Sequence, residues 1–253
     1  MLGQGISYSK SPAMHNAGFR ALGLDWTYEV LDLASDAVPA ATTMLRGRDV
    51  GGANVTIPHK QTVMNHLDTL HPEAMRSRAV NTIVNRDGRL GGFNTDVAAI
   101  RAAVADLGVE PRGANVVILG AGGAARAAAV CLEGAHLTFA VRHPEDADVP
   151  GRVLGWDDPE LAARARSADL LLNATPLGRR EEMPLRPNAL PKAGAVIDLV
   201  YVKGGTPLVR KARSLGLATA DGWGILLAQG ALSFELWTGR PAPLDAMRQT
   251  LEP

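Results

Sequence analysis

Val116-Val117-Ile118-Leu119-Gly120-Ala121-Gly122-Gly123-Ala124-Ala125 is a run of apolar residues, a glycine-rich turn and the start of an alanine-rich stretch. Four consecutive apolar residues fit a strand buried on both faces, as in a parallel sheet covered by helices. The turn then opens a helix that reads to about Glu133, and Leu137-Thr138-Phe139-Ala140-Val141 reads as the next strand. In that strand–turn–helix–strand context the glycines fit a dinucleotide-binding turn. Gly120 permits the tight turn, Gly122 lets the backbone approach a pyrophosphate, and small Ala125 allows close helix packing. Ala121, Gly123 and Ala124 complete the loop, whose N–H groups at the helix N-terminus favour a negative phosphate. The bland alternative is a Gly/Ala loop packed for steric reasons alone.

Working outward, further strands read near Leu170-Leu171-Leu172 and Ala195-Val196-Ile197, so the fold class is α/β. A long helix reads over 222–237 and a last one from about Leu244 to Leu251. Upstream, Ser11 reads as the N-cap of a helix with Pro12 at the first helical position, ending at Gly23. Trp26-Thr27-Tyr28-Glu29-Val30 reads as a strand and 35–46 as a helix. Asn54-Val55-Thr56-Ile57 reads as a short strand, with Pro58 starting another helix. Two strands flanking Asp87-Gly88 read as a hairpin, and Thr95 as the N-cap of a helix from Asp96 to about Leu107.

The second strand of the nucleotide unit ends in Arg142 rather than in the Asp or Glu that would accept from a ribose 2′-OH. A guanidinium there can pair with a 2′-phosphate, which favours NADP over NAD. A solvated surface arginine is the plain reading, and His143, Glu145 and Asp146 beside it add opposing charge.

Bulk composition narrows the function classes. The 253 residues carry 26 basic and 26 acidic side chains, 46% hydrophobic content and one cysteine, Cys131. No basic stripe interleaved with aromatics argues for nucleic acid. Apolar stretches are interrupted by Arg126, Glu133 and Asp221, short of a membrane span. No signal-peptide pattern follows Met1, one cysteine allows no internal disulfide, and the cytoplasm is the expected compartment. Neither H-E-x-x-H nor C-x-x-C spacing occurs, so no metal is expected.

Two further motifs carry chemistry: Asn54-Val55-Thr56-Ile57-Pro58-His59-Lys60 and Asn94-Thr95-Asp96. Alone, Lys60 reads as a solvated lysine and Asp96 as a first-turn residue favoured by the helix dipole. Upstream of a nucleotide fold, the two together suggest proton transfer coupled to hydride transfer.

Over nearly its full length the chain resembles the shikimate dehydrogenase family. The matching signatures are Ser9-Lys10-Ser11-Pro12 with His15-Asn16, Asn54-Val55-Thr56 with Lys60, Ala79-Val80-Asn81-Thr82, and Asn94-Thr95-Asp96. After the glycine turn come Asn173-Ala174-Thr175-Pro176, Asp198-Leu199-Val200-Tyr201, and Asp221-Gly222-Trp223-Gly224 followed by Gln229. The resemblance implies a two-domain enzyme with a central cleft. Residues 1–97 and 222–253 would form the substrate domain, and 98–221 a Rossmann NADP domain. The family reversibly reduces 3-dehydroshikimate to shikimate with NADPH, on the route to aromatic amino acids. By resemblance Lys60 is the catalytic lysine, with Asp96 orienting it and a substrate hydroxyl. Ser9 and Ser11 would take the substrate carboxylate. Thr56, Asn81 and Gln229 would hydrogen-bond the substrate, and Tyr201 would wall the pocket. Asn173 and Thr175 would lie beside the nicotinamide, and the Gly222 backbone would hold its carboxamide. The expected partners are the small-molecule substrate and a second copy in a homodimer, with neither nucleic acid nor membrane.

Three departures stand out. Only Met1-Leu2 precede Gly3, so a short first strand, or a trimmed start, is expected. The 2′-phosphate clamp has one arginine and no second base, which implies a shallow NADP preference. Residues 144–156 are rich in Pro, Gly and Asp where a full helix is expected. Quinate/shikimate dehydrogenase of broader specificity is the enzymatic alternative, and a non-catalytic metabolite sensor the alternative of another class. The intact Lys60 and Asp96 argue against the sensor.

Overall fold

Leu2–Gly3 (β1) lies parallel to Leu31–Asp32 (β2), and Leu2 also bridges Val55. Between them runs α1, Ser11–Ala21. The computed structural model describes residues 1–251, in two units: Met1–Ala98 with the return segment from Leu226, and Ala99–Ile225.

In the first unit the next elements are α2, Val38–Met44; β3, Gly52–Asn54; β4, Thr69–Leu70; and α3, Pro72–Ser77. Then come β5, Thr82–Arg86; β6, Arg89–Phe93; and α4, Thr95–Asp106, which begins in the first unit and runs on into the second. The sheet order is β3-β5-β6-β4, with β5 antiparallel to both neighbours and β4 parallel to β6. The β5–β6 hairpin closes on Asp87 and Gly88, both at positive φ (52° and 84°), as the expected two-residue turn requires. Leu2, Ala53, Val55, Val80, Ile83 and Leu90 meet Val38, Ala41 and Leu45 in the core.

The second unit holds β7, Asn115–Leu119; α5, Gly123–Cys131; β8, His136–Val141; and β9, Arg152–Gly155. It continues with α6, Pro159–Arg166; β10, Leu170–Asn173; β11, Ala195–Asp198; α7, Pro207–Ser214; and β12, Ala218–Ala220. All six strands are parallel, in the order β12-β11-β10-β7-β8-β9. This places the first strand, β7, inside the sheet with later strands added on either side, as in dinucleotide-binding folds, and the direction of winding reverses between β7 and β10. Both β7 and β10 are buried along their apolar residues, as an inner parallel strand demands. The chain ends on α8, Gly222–Thr238, and α9, Leu244–Gln249.

Four local expectations fail. Trp26–Val30 joins no ladder, because the Asn16 side chain takes both Tyr28 backbone groups (2.8 and 3.0 Å). Pro58 starts no helix: the Lys60 carbonyl accepts from Val80 N–H (2.8 Å), and only a 3-10 turn, Thr62–His66, follows. Neither Ser11 nor Thr95 is an N-cap. Each is the first residue of its helix, and Asn94 Oδ1 accepts from Asp96 N–H (3.2 Å) in the role expected of Thr95. Residues 144–156, noted above as a departure from the family's helix, form a 3-10 turn, Pro144–Asp146, and then the edge strand β9.

Candidate active site

Asn81 is the joint of the first unit. Its backbone pairs with Phe93 O (3.0 Å) and Val55 N–H (2.7 Å), so it sits rigidly at the entry to β5. Its side-chain oxygen accepts from Thr95 N–H (2.8 Å). The amide nitrogen donates to Thr95 Oγ1 and Asp96 Oδ1, both at 2.9 Å. One amide therefore fixes the first two residues of α4.

Asp96, in the first turn of α4, has its negative charge favoured by the helix N-terminus. Its other oxygen, Oδ2, accepts from Lys60 Nζ at 2.5 Å. The side chains keep 16% and 12% of their exposure, enough to shield the pair from bulk water while leaving an open side. The Lys60 backbone is held one residue away from Asn81 by the Val80 N–H bond. Gln229, on α8, has its Oε1 3.4 Å from Asn81 Nδ2, and its Nε2 donates to Leu226 O (2.8 Å). An ammonium has three donors, so with Asp96 on one Lys60 can still present a proton to a ligand oxygen.

Behind this group lies a cluster that sequence reading did not single out. Ser233 Oγ is 2.8 Å from Thr82 Oγ1, 3.2 Å from Thr95 Oγ1 and 2.9 Å from Asn54 Nδ2, and it donates to Gln229 O (2.9 Å). Tyr28 OH donates to Asn54 Oδ1 (2.7 Å). Asn54 and Thr95 stood inside the quoted motifs, but Ser233 had no signal in an apolar helix. All of these groups are buried and mutually satisfied, which makes the support stiff.

The remaining substrate candidates lie nearby in sequence. Ser9 is half-buried and its hydroxyl accepts from Ser11 N–H (3.2 Å), while Ser11 is buried at the first position of α1. Thr56 is half-buried just beyond β3, with its N–H on Leu2 O (2.9 Å).

In the second unit, Gly120 follows β7 at φ +101°, which an L-side chain rarely adopts. A Cβ there would stand 3.1 Å from Thr175 Cγ2. Gly122 is extended before α5 and a Cβ on it would meet nothing within 4 Å, so open space faces this turn and its amides. Ala121, Gly123 and Ala124 are not fully buried, and Ala125 is fully buried. These features suit a dinucleotide pyrophosphate.

Arg142 is exposed just after β8. His143 Nδ1 lies 3.5 Å from Glu145, and the ligand atoms of His143, Glu145 and Asp146 are within 4.8 Å of one another. Asn173 is fully buried and holds the loop after β10: Nδ2 donates to Leu177 O and Asp198 (both 2.9 Å), and Oδ1 accepts from Thr175 Oγ1 (2.7 Å). Tyr201 is half-buried, its ring 5.0 Å from Trp223. Gly222 begins α8 where a Cβ would lie 2.6 Å from Leu199 O.

Residues 1–83 match the family described as the shikimate dehydrogenase substrate binding domain, and residues 222–252 the shikimate 5'-dehydrogenase C-terminal domain. A shikimate dehydrogenase (NADP(+)) from Desulforamulus reducens is 39% identical, over 99% of this chain and 93% of its own.

The chain belongs to the shikimate dehydrogenase family.

Among solved relatives, shikimate 5-dehydrogenase from Thermus thermophilus, in complex with NADP(H) and shikimate, has a TM-score of 0.87. It is 37% identical and covers 99% of this chain and 96% of its own. The ligand-free 5-ketofructose reductase of Gluconobacter sp. strain CHM43 has a TM-score of 0.82 at 32% identity, covering 99% and 95%. No helix among the described residues is long and apolar enough to cross a membrane.

Proposed function

We propose that this chain reversibly reduces 3-dehydroshikimate to shikimate, with NADPH as reductant, in the biosynthesis of aromatic amino acids. The observation that carries the reading is the Lys60–Asp96 ion pair at 2.5 Å, held by Asn81, in a chain of this family.

When bound, NADPH supplies the hydride. Gly120, Ala121, Gly122, Gly123 and Ala124 would hold its pyrophosphate, Arg142 its 2′-phosphate, and Asn173, Thr175 and Gly222 would frame its nicotinamide end. Lys60 donates a proton to the ketone oxygen as negative charge develops there, and takes it back in the reverse direction. Asp96 aims the ammonium and accepts from a substrate hydroxyl. Asn81 holds Asp96 and, with Gln229 and Thr56, presents polar groups to the ring hydroxyls. Ser9 and Ser11 bind the carboxylate, and Tyr201 borders the pocket. In domain terms, 1–97 with 222–253 bind substrate and 98–221 bind the dinucleotide.

The 5-ketofructose reductase neighbour motivates a second reading, reduction of a related polyol ketone. NADP reduction followed with shikimate, quinate and no substrate, then NADPH oxidation with 5-ketofructose, separates the cases. Turnover restricted to shikimate supports the proposal; turnover only with quinate or 5-ketofructose replaces it, and tight shikimate binding with no turnover turns the protein into a sensor. Repeating the assay with NAD tests cofactor choice. A homodimer and a cytoplasmic location complete the reading, tested by light scattering and by cell fractionation.

A further inference from the structure

Asp198 ends β11 with no exposed surface. Three donors converge on its carboxylate: Thr206 Oγ1 on Oδ2 (2.6 Å), with Asn173 Nδ2 (2.9 Å) and Val200 N–H (3.0 Å) on Oδ1. Burial raises its pKa to about 6 and these bonds oppose that rise, while the Asp221 charge adds to it. A buried charge is costly unless it is bonded in this way. Asp198 takes no part in the proposed hydride or proton transfer.

Each donor leads to a different part of the sheet's carboxyl edge. Through Asn173, Asp198 reaches the loop after β10: Thr175 N–H (3.1 Å) and Oγ1 both donate to Asn173 Oδ1, and Leu177 N–H donates to Thr175 Oγ1 (3.2 Å). That loop lies against the glycine turn, since Thr175 Cγ2 and Ala174 O stand 3.1 and 3.3 Å from a Cβ position on Gly120. Through Val200, Asp198 fixes the loop after β11, whose Leu199 and Val200 backbone crowds Gly222. Val202 O in the same loop accepts from Trp223 Nε1 (3.1 Å). Through Thr206 it closes the far end of that loop, where the same hydroxyl accepts from Val209 N–H (3.2 Å) and caps α7. One carboxylate thus ties together the surroundings of Gly120, beside the β7–β10 switch point where such sheets bind ligands, and of Gly222.

We infer that Asp198 is a positioning residue that locks the loops 174–178 and 199–206 together, and that dinucleotide affinity in this unit depends on that lock. The inference rests on the dinucleotide reading of the second unit given above. Asp198 touches neither phosphate nor nicotinamide in this account; it acts through Asn173, Val200 and Thr206.

The test is NADPH binding followed by fluorescence titration of the full chain, wild type against Asp198→Asn, Thr206→Val and Thr206→Ser. Asparagine turns an NH2 toward one of three donors, and valine removes the hydroxyl donor, whereas serine keeps it. Misplacement of a binding group by about 1 Å can cost on the order of a hundredfold. Kd for NADPH is therefore expected to rise at least about tenfold in D198N and T206V and to stay within about threefold of wild type in T206S. The shikimate Kd, read by calorimetry without cofactor, stays constant. A purely structural role would lower the melting temperature and leave the NADPH Kd of the folded protein unchanged; that outcome overturns the inference. If D198N fails to fold, the T206V and T206S pair decides. Absence of NADPH and NADH binding by the wild type would instead overturn the dinucleotide reading on which the inference rests.

Discussion

His15 makes a sharp prediction about acid stability. Its ring is fully buried in α1, stacked on Tyr28 at 4.5 Å and tilted against Trp237 at 5.0 Å, and neither nitrogen has a hydrogen-bond partner. Burial, with a smaller push from the N-terminal ammonium and against an opposing pull from the nearby Asn54 side chain, lowers its pKa to about 3. The unfolded chain protonates a histidine below about pH 6.5. Protons therefore bind the unfolded state preferentially, and stability is lost as pH falls from about 6.5 toward 3. With about 1.4 kcal/mol per pH unit, this one residue should remove about 2 kcal/mol of folding stability between pH 8 and pH 5. His15→Phe keeps the aromatic stack and deletes the titration. Urea unfolding at pH 8 and pH 5, followed by hydrogen exchange on α1 peptides, gives the loss for each protein. The wild type should lose about 2 kcal/mol more than H15F over that interval. Equal losses would refute the neutral, unpartnered imidazole as the source of acid sensitivity.

Other outcomes follow from the same geometry. Arg142→Ala should raise KM for NADP about tenfold and leave NAD use alone in parallel steady-state assays; equal loss with both cofactors would remove the phosphate role. Gly222→Ala places a methyl 2.6 Å from the Leu199 carbonyl and should cost about 1–3 kcal/mol in thermal unfolding, with weaker NADPH binding. Ser233→Ala leaves buried Asn54, Thr82 and Thr95 one partner short and should cost about 1–3 kcal/mol in urea, an effect absent if water replaces the hydroxyl.

The unit with the six-stranded parallel sheet was legible because its signals are local. Consecutive apolar residues announce a strand buried on both faces, and Gly120 to Ala125 announce the turn that must follow it. The Asp87-Gly88 hairpin was readable for the same reason. What escaped depended on partners distant in sequence. Trp26–Val30 has strand-like residues, yet the Asn16 side chain substitutes for a ladder. Pro58 looks like a helix start, yet the Lys60 carbonyl is drawn to Val80. The edge strands β9 and β12 are four and three residues long and carry little periodicity. Lys60 and Asp96 were legible as a pair through their motifs. The Ser233 cluster was not, because a lone serine in an apolar helix acquires meaning only when strand β5 and helix α4 are brought against it.

In the proposed reaction the ammonium of Lys60 is the proton donor to the ketone. The most direct measurement is the steady-state kinetics of folded Lys60→Ala with shikimate and NADP. The prediction is a kcat lower by roughly 10²–10⁴-fold with shikimate KM changed far less. A kcat equal to that of the wild type would contradict it.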